Sequence, residues 1–220
     1  MRFFYQIGIH FFILFLRIAS LFNAKIKEGI KGRKNWTVTL GDIPENANVI
    51  WFHCASLGEF DQGLPVMTAL KQNTPNAFVL VTFFSPSGMK HYHKRAHSVD
   101  LALYLPFDTK ANAQLFLKKA KPKLAVFVKY EFWPNFILEC GRSDIKLVSI
   151  STLLRKNQIY FKWYGGFFAS VLKSIDHFFV QNQHSKTLLE SIGVKQIEIS
   201  GDTRYDKVLQ HKNSSTSTDS

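Results

Sequence analysis

At 220 residues the chain is long enough for one medium domain or two small ones. With 46% hydrophobic and 15% aromatic residues it can bury a packed core, which excludes an intrinsically disordered chain away from its ends. Lysine and arginine (28) exceed aspartate and glutamate (16), leaving +12, so an anionic partner is expected: nucleic acid, acidic lipid or a phosphorylated substrate.

The first element is "FFYQIGIHFFILFLRIASLF" (3–22), nearly continuous apolar sequence broken by Gln6, His10 and Arg17. Its length is near the roughly 20 residues that cross a bilayer core. No charged n-region beyond Arg2 and no small-x-small cleavage site argue for a signal peptide. Helical spacing brings Gln6, His10 and Arg17 close to one face, which suits a helix lying in the interface or beside protein. Residues 1–23 are therefore predicted to be a membrane-anchor helix, spanning or interfacial; the bland alternative is a buried helix of the domain. A basic cluster follows (Lys25, Lys27, Lys31, Arg33, Lys34, with one acid, Glu28), placed to meet anionic headgroups on the cytoplasmic side.

From Asn48 the chain alternates short apolar runs with amphipathic segments. Strands are predicted at 48–53, 77–84, 101–105, 123–128, 145–150, 177–181 and 196–200. Helices are predicted near 59–72, 87–97, 109–120, 132–142, 160–174 and 183–193. Strands apolar on both faces, each followed by a helix, point to a Rossmann-like α/β fold with a doubly wound parallel sheet. Ligands of such sheets bind beyond the carboxyl ends of the strands, so the loops after strands hold the candidate site. Residues 24–208 form this α/β domain, and the polar tail 209–220 is expected to be disordered.

"HCASLGEF" (53–60) leaves the first strand through small residues, Ala55, Ser56 and Gly58, and places Glu59 at a helix start. A helix cap is the bland reading, a positioned base the sharper one. Neither G-x-G-x-x-G nor a G-K-[ST] P-loop is present. In "TFFSPSGMK" (82–90), Ser85, Ser87 and Gly88 form a turn whose free N–H groups can receive a phosphate or hydroxyl; ordinary capping is the alternative. "HYHKRAH" (91–97) puts His93 and His97 one helical turn apart, without a third ligand, and reads as a basic helix face rather than a metal site. "VKYEFWPNF" (128–136) sets Lys129, Glu131, Trp133 and Asn135 at a strand's carboxyl end, as a sugar or phosphate site requires; a surface ion pair with a core tryptophan is equally compatible. "GDTRYD" (201–206) offers Arg204, able to meet a phosphate bidentately. The two cysteines, Cys54 and Cys140, exclude a disulfide framework and are expected to be reduced thiols.

Taken in order, the hydrophobic N-terminus, "WFHCASLGE", "TFFSPSG", "LPFD" (105–108), "EFWPN" (131–135), "VQN" (180–182) and "GDTRYD" resemble the Kdo (3-deoxy-D-manno-octulosonic acid) transferase family over residues 1 to 208. The resemblance implies the N-terminal, acceptor-binding half of a GT-B glycosyltransferase. It implies transfer of Kdo from CMP-Kdo to a phosphorylated lipid A precursor at the cytoplasmic face of the inner membrane, with no cofactor or bound metal. The family's general base falls on Glu59, which takes the proton of the acceptor hydroxyl. Two positions depart from the family. Lys129 stands where many relatives carry a glutamate, and Arg204 where a lysine is usual; the charge of the second is kept, its geometry is not.

Two rival readings carry different expectations. A catalytically silent, membrane-anchored module would bind lipid or a partner without turnover. A nucleic-acid-binding protein would spread its charge along one aromatic-laced face, whereas here the charge concentrates beside an apolar anchor, so no nucleic-acid partner is expected.

Overall fold

The structure, a computed structural model, describes residues 1–203. Seven strands form one sheet: β1 (Asn48–His53), β2 (Ala77–Phe83), β3 (Leu101–Tyr104), β4 (Leu124–Val128), β5 (Lys146–Thr152), β6 (His177–Val180) and β7 (Ile197–Ile199). All pairs are parallel and the spatial order is β3-β2-β1-β4-β5-β6-β7. The order reverses between β1 and β4, so the crevice beyond their carboxyl ends is the topological switch point of a Rossmann-like sheet.

Alternation along each strand builds two cores. Val49 and Trp51 of β1 join Leu80, Phe127, Phe116 and Phe136 on one face. Ile50 and Phe52 join Val79, Val81, Phe83, Phe60 and Met67 on the other. Helix α4 (Leu57–Asn73) and α5 (Pro86–His91) cover the second face; α6 (Lys110–Ala120), α7 (Pro134–Arg142), α8 (Gly166–Leu172) and α9 (Gln183–Ser191) cover the first. The sheet is thus sandwiched, which explains why its strands read as unbroken apolar runs. Three helices precede it: α1 (Arg2–Ala19), α2 (Ala24–Gly32) and α3 (Trp36–Thr39).

Two expected helices are shorter than their sequence pattern. Residues 87–97 stop being α-helical at His91 and continue as one 3-10 turn over Tyr92–Lys94. Arg95 turns away to hold Asp61 with two nitrogens, at 2.8 and 3.2 Å. His93 and His97 are therefore not stacked on a helix; His97 packs on Tyr92 instead. The segment 160–174 splits into a 3-10 turn, Ile159–Phe161, and α8. Gly165 lies between them, where a Cβ would come 1.7 Å from the Ile159 carbonyl, so the chain turns there only with glycine.

Helix α1 is not a core helix: Ile9 alone in it is buried, and Phe3, Phe4, Phe11 and Phe15 face outward. It is long and apolar enough to cross a membrane. The basic cluster after it is corrected at one position. Arg33 is buried, donating to the carbonyls of Leu105, Gly29 and Phe84 and lying 4.5 Å from the Phe84 ring centre. It ties α2 to the ends of β2 and β3 instead of facing headgroups, and burial lowers its pKa to about 10.

Candidate active site at the switch point

Beyond β1 the chain stays in register for one more residue, Cys54 donating to the Thr82 carbonyl at 2.9 Å. The Ala55 carbonyl then accepts the N–H groups of Phe84 (3.1 Å) and Ser85 (2.7 Å), which locks the β1–α4 loop to the β2–α5 loop. Ser56 is the N-cap of α4 and Glu59 its third residue, as the "S-L-G-E" spacing of a capping box dictates. The Glu59 carboxylate accepts the Ser56 N–H at 2.8 Å and its hydroxyl at 3.3 Å. Cap and candidate base are the same side chain, held in one rotamer.

Glu59 is only 6% exposed. Burial, and then the nearby carboxylate of Glu131, push its pKa up to about 7, against the opposing pull of the Ser56 hydrogen bonds and of Lys129. Glu131, likewise raised by burial, and Lys129 thus act electrostatically on Glu59 from the end of β4. The backbone there is unusual. Lys129 has φ +74°, a left-handed conformation costly for a side chain, and its N–H is held by the Ile150 carbonyl at 2.9 Å. Its ammonium lies 5.2 Å from the Tyr130 ring centre. The structure therefore brings Glu59, Glu131 and Lys129 together from two loops 70 residues apart in sequence, beyond adjacent strands.

Trp133 is fixed by a buried chain that the sequence did not announce. Its indole N–H donates to His53 Nε2 at 3.0 Å. His53 Nδ1 is 2.9 Å from Thr82 Oγ1, which also accepts the Trp51 indole N–H at 2.8 Å. Because Nε2 accepts, the proton of the neutral ring sits on Nδ1 and points at Thr82. Burial lowers the His53 pKa to about 3, so the ring stays neutral. Trp133 also stacks on Phe84, ring centres 4.8 Å apart at 29°. His53 in "WFHC" was the available signal: a histidine inside an apolar strand needs partners on both nitrogens.

Asn135 faces inward and its groups are already used. Its side-chain amide donates to the Asp108 carbonyl and accepts from Gln6 at 2.5 Å. Asp108, buried, caps α7 by accepting the N–H groups of Asn135 (3.0 Å) and Phe136 (3.1 Å), and accepts the Tyr5 hydroxyl at 2.6 Å. The "LPFD" and "EFWPN" segments are thus one structural joint, and α1 is clipped onto it. Ser85 and Ser87 face each other, hydroxyl oxygens 2.6 Å apart. Gly88 is explained by packing: a Cβ there would come 2.2 Å from the Phe83 ring. Gly58 has no close neighbour beyond the Ser56 hydroxyl, 4.0 Å from a Cβ placed on it.

The start of "GDTRYD" returns to the same place. Thr203 donates to the Gln62 carbonyl at 2.5 Å, one turn beyond Glu59 on α4, and shares a 2.7 Å hydrogen bond with Ser151. Arg204 lies outside the described residues, as does the tail 209–220. Among the described residues no group of three His, Cys, Asp or Glu side chains is arranged to hold a metal ion. The arrangement offers a half-neutral carboxylate at neutral pH, under the influence of a nearby cation, which suits proton removal from a hydroxyl.

Comparison with known proteins bears on the family and the fold. The family described as 3-deoxy-D-manno-octulosonic-acid transferase (kdotransferase) matches residues 30–207. A 3-deoxy-D-manno-octulosonic acid transferase of Rickettsia bellii is 25% identical over 202 residues, covering 92% of this chain and 47% of the relative. One from Chlamydophila psittaci is 26% identical, covering 92% and 49%, and one from Aquifex aeolicus 34% identical over 89 residues, covering 40% and 24%. The chain spans about half the length of the first two. Among solved structures, the UDP-GlcNAc 2-epimerase of Neisseria meningitidis superposes with a TM-score of 0.57 at 16% identity, over 76% of this chain and 49% of that one. The epimerase of Methanocaldococcus jannaschii gives 0.55, 16%, 74% and 47%. These two share the fold, the chain corresponding to one Rossmann-like half of a GT-B architecture. By the family match over residues 30–207, the chain belongs to the 3-deoxy-D-manno-octulosonic-acid transferase family.

Proposed function

We propose that this chain supplies the acceptor side of a Kdo transfer from CMP-Kdo to a hydroxyl of a phosphorylated lipid A precursor, at the cytoplasmic face of the inner membrane. The observation that carries the reading is Glu59, buried at the switch point with a pKa of about 7 and held by Ser56. As the acceptor oxygen bonds to the anomeric carbon of Kdo, its proton passes to the Glu59 carboxylate. The bond from that carbon to the CMP phosphate breaks, and CMP leaves with the electron pair. A carboxylate of this pKa is ionised in useful amount at neutral pH and still basic enough to accept the proton. Lys129, beside Glu59, and Arg204 supply positive charge for the phosphates, while Glu131 raises the basicity of Glu59. Ser56, Gly58, Ser85 and Ser87 rim the acceptor side, and Trp133 offers a face for a sugar ring. Gly88 and Asn135 shape that rim from within. Most contacts to CMP-Kdo fall to residues of the second GT-B half. The apolar face of α1, with Lys25, Lys27 and Lys31 after it, keeps the site at a lipid surface.

The test is CMP release from CMP-Kdo with a lipid A precursor, comparing the chain with Glu59→Gln, alongside precursor binding. Turnover lost in the variant supports the base. Binding of the precursor without turnover in either supports an acceptor-side half acting only with its complement, or the silent lipid-binding module. Neither binding nor turnover overturns the reading.

A further inference from the structure

Among the described residues, the most exposed aromatic side chain serves neither the core nor the switch-point site. Trp163 is 95% exposed, and its neighbour Tyr164 is also exposed, with ring centres 5.4 Å apart. A solvated tryptophan costs apolar hydration for no packing, and such residues mark interaction surfaces. The turn that displays it is built, not loose. Gly165 lies where no side chain fits, and Phe161 and Gly165 each donate a backbone hydrogen bond within the turn.

The fold packs the start of α8, the helix that follows this turn, against α1. Tyr5 contacts Phe167 at 5.7 Å and Phe168 at 5.9 Å, just after the turn. A groove of about 470 Å³ runs between the two elements, with Phe4, Gly8 and Phe12 on one wall and Phe167 and Phe168 on the other. The aromatic surface of α1 thus continues across the groove, past Trp133, onto Phe167 and Phe168, which follow Trp163 by four and five residues. Helix α1 is also held to the domain along its length. Tyr5 and Gln6 hydrogen-bond Asp108 and Asn135, and Leu16 lines a pocket with Ile26 and Ile30 of α2. A helix clipped at both ends to one domain lies along its surface and presents a side to a bilayer instead of an end.

Charge points to the same partner. No acidic residue occurs from Met1 to Lys27, or between Asp144 and Asp176. The second stretch carries Arg155, Lys156 and Lys162 in the eight residues before Trp163. Two segments far apart in sequence, each free of acids and rich in aromatics, meet on one side of the fold. Tryptophan and tyrosine beside lysine is the composition that settles at a headgroup boundary.

We propose that the Trp163–Tyr164 turn is a second membrane-contact element, which inserts into an anionic lipid surface beside an α1 lying in the membrane plane. This rests on the membrane reading of α1 above and extends it to a segment that the sequence did not single out. Two-point contact fixes the rotation of the domain about α1, and so the direction in which the switch-point crevice faces.

Vesicles of phosphatidylglycerol and phosphatidylcholine with acyl chains brominated near the headgroup test this. Trp36 and Trp51 are buried and Trp133 is half-buried, which leaves Trp163 as the tryptophan open to a quencher. Bromolipid is expected to quench the intact chain and to lose most of that quenching in Trp163→Phe. Trp163→Asp is expected to weaken binding to anionic vesicles about tenfold, a loss of roughly 1.4 kcal/mol. Neither substitution touches the core, so both variants fold. A Phe11→Ser, Phe15→Ser double variant reports α1 separately. If it weakens vesicle binding while the Trp163 variants bind and quench like the intact chain, the second contact is refuted and the α1 anchor stands. If the intact chain binds no vesicles, both readings fall.

Discussion

Replacing Glu59 by glutamine should stabilise the fold above neutral pH even as it removes the base. The carboxylate ordinarily titrates near 4.5, and in the folded protein near 7, because burial and Glu131 disfavour its charge. Below about pH 4.5 both folded and unfolded chains hold the proton and Glu59 has no net effect. Between about 4.5 and 7 the unfolded chain gives up its proton and the folded chain does not, so stability falls as pH rises. Above 7 the full penalty applies, about 3 kcal/mol for a displacement of this size in a side chain only 6% exposed. Glutamine keeps an oxygen for the Ser56 N–H, now without charge assistance, which returns about 1 kcal/mol of the gain. The net expectation is a variant about 2 kcal/mol more stable than wild type at pH 8, with the advantage gone or reversed at pH 4.5. Urea unfolding at half-unit steps of pH measures it, since Asp108 and the other titrating groups not coupled to Glu59 are common to both proteins and cancel. A stability difference that is flat from pH 4.5 to 8 would refute the burial argument for Glu59. So would a less stable variant at pH 8.

Three further outcomes follow from the same geometry. His53→Phe should cost about 2–4 kcal/mol, because the Trp133 indole and Thr82 lose a buried partner; it should also flatten the loss of stability between pH 6.5 and 3 that arises when the unfolded chain alone protonates this histidine, as pH-dependent urea curves will show. Gly88→Ala should destabilise by roughly 1–3 kcal/mol in thermal unfolding, since the added methyl meets the buried Phe83 ring. Asp108→Ala should remove the α7 cap, at about 1–2 kcal/mol, and release α1, read as faster amide exchange across residues 2–12 with β1 and β4 still protected.

Most of the architecture was legible because a strand covered on both faces has to be apolar throughout. The runs at 48–53, 77–83 and 124–128 satisfy this with few interruptions. Errors fell where a single contact overrides periodicity. Arg95 leaves the helix pattern to pair with Asp61, and Gly165 breaks the 160–174 pattern by its approach to Ile159. In the site, Glu59 was legible as a carboxylate in the first turn after a strand; its spacing from Ser56, which α-helical geometry converts directly into a contact, was an available signal not used. Asn135 and Gly88 stood out for their position in motifs, yet the fold uses them internally, on Asp108 and Phe83. Arg33 read as part of a surface basic cluster because composition does not reveal that three backbone carbonyls are waiting for it.

The sequence by itself determined the α/β class, the place of Glu59 in the first turn of a helix, the apolar character of α1 and the family, since each rests on short-range pattern or on residue order. Tertiary structure alone decided that Lys129 and Glu131 act on Glu59, that His53 holds Trp133, and that α1 is clipped to Asp108 and packs Tyr5 on Phe167 and Phe168. Those relations join residues tens to more than a hundred positions apart. Sheet order and burial fix them, and burial is also what moves Glu59 to a pKa near 7.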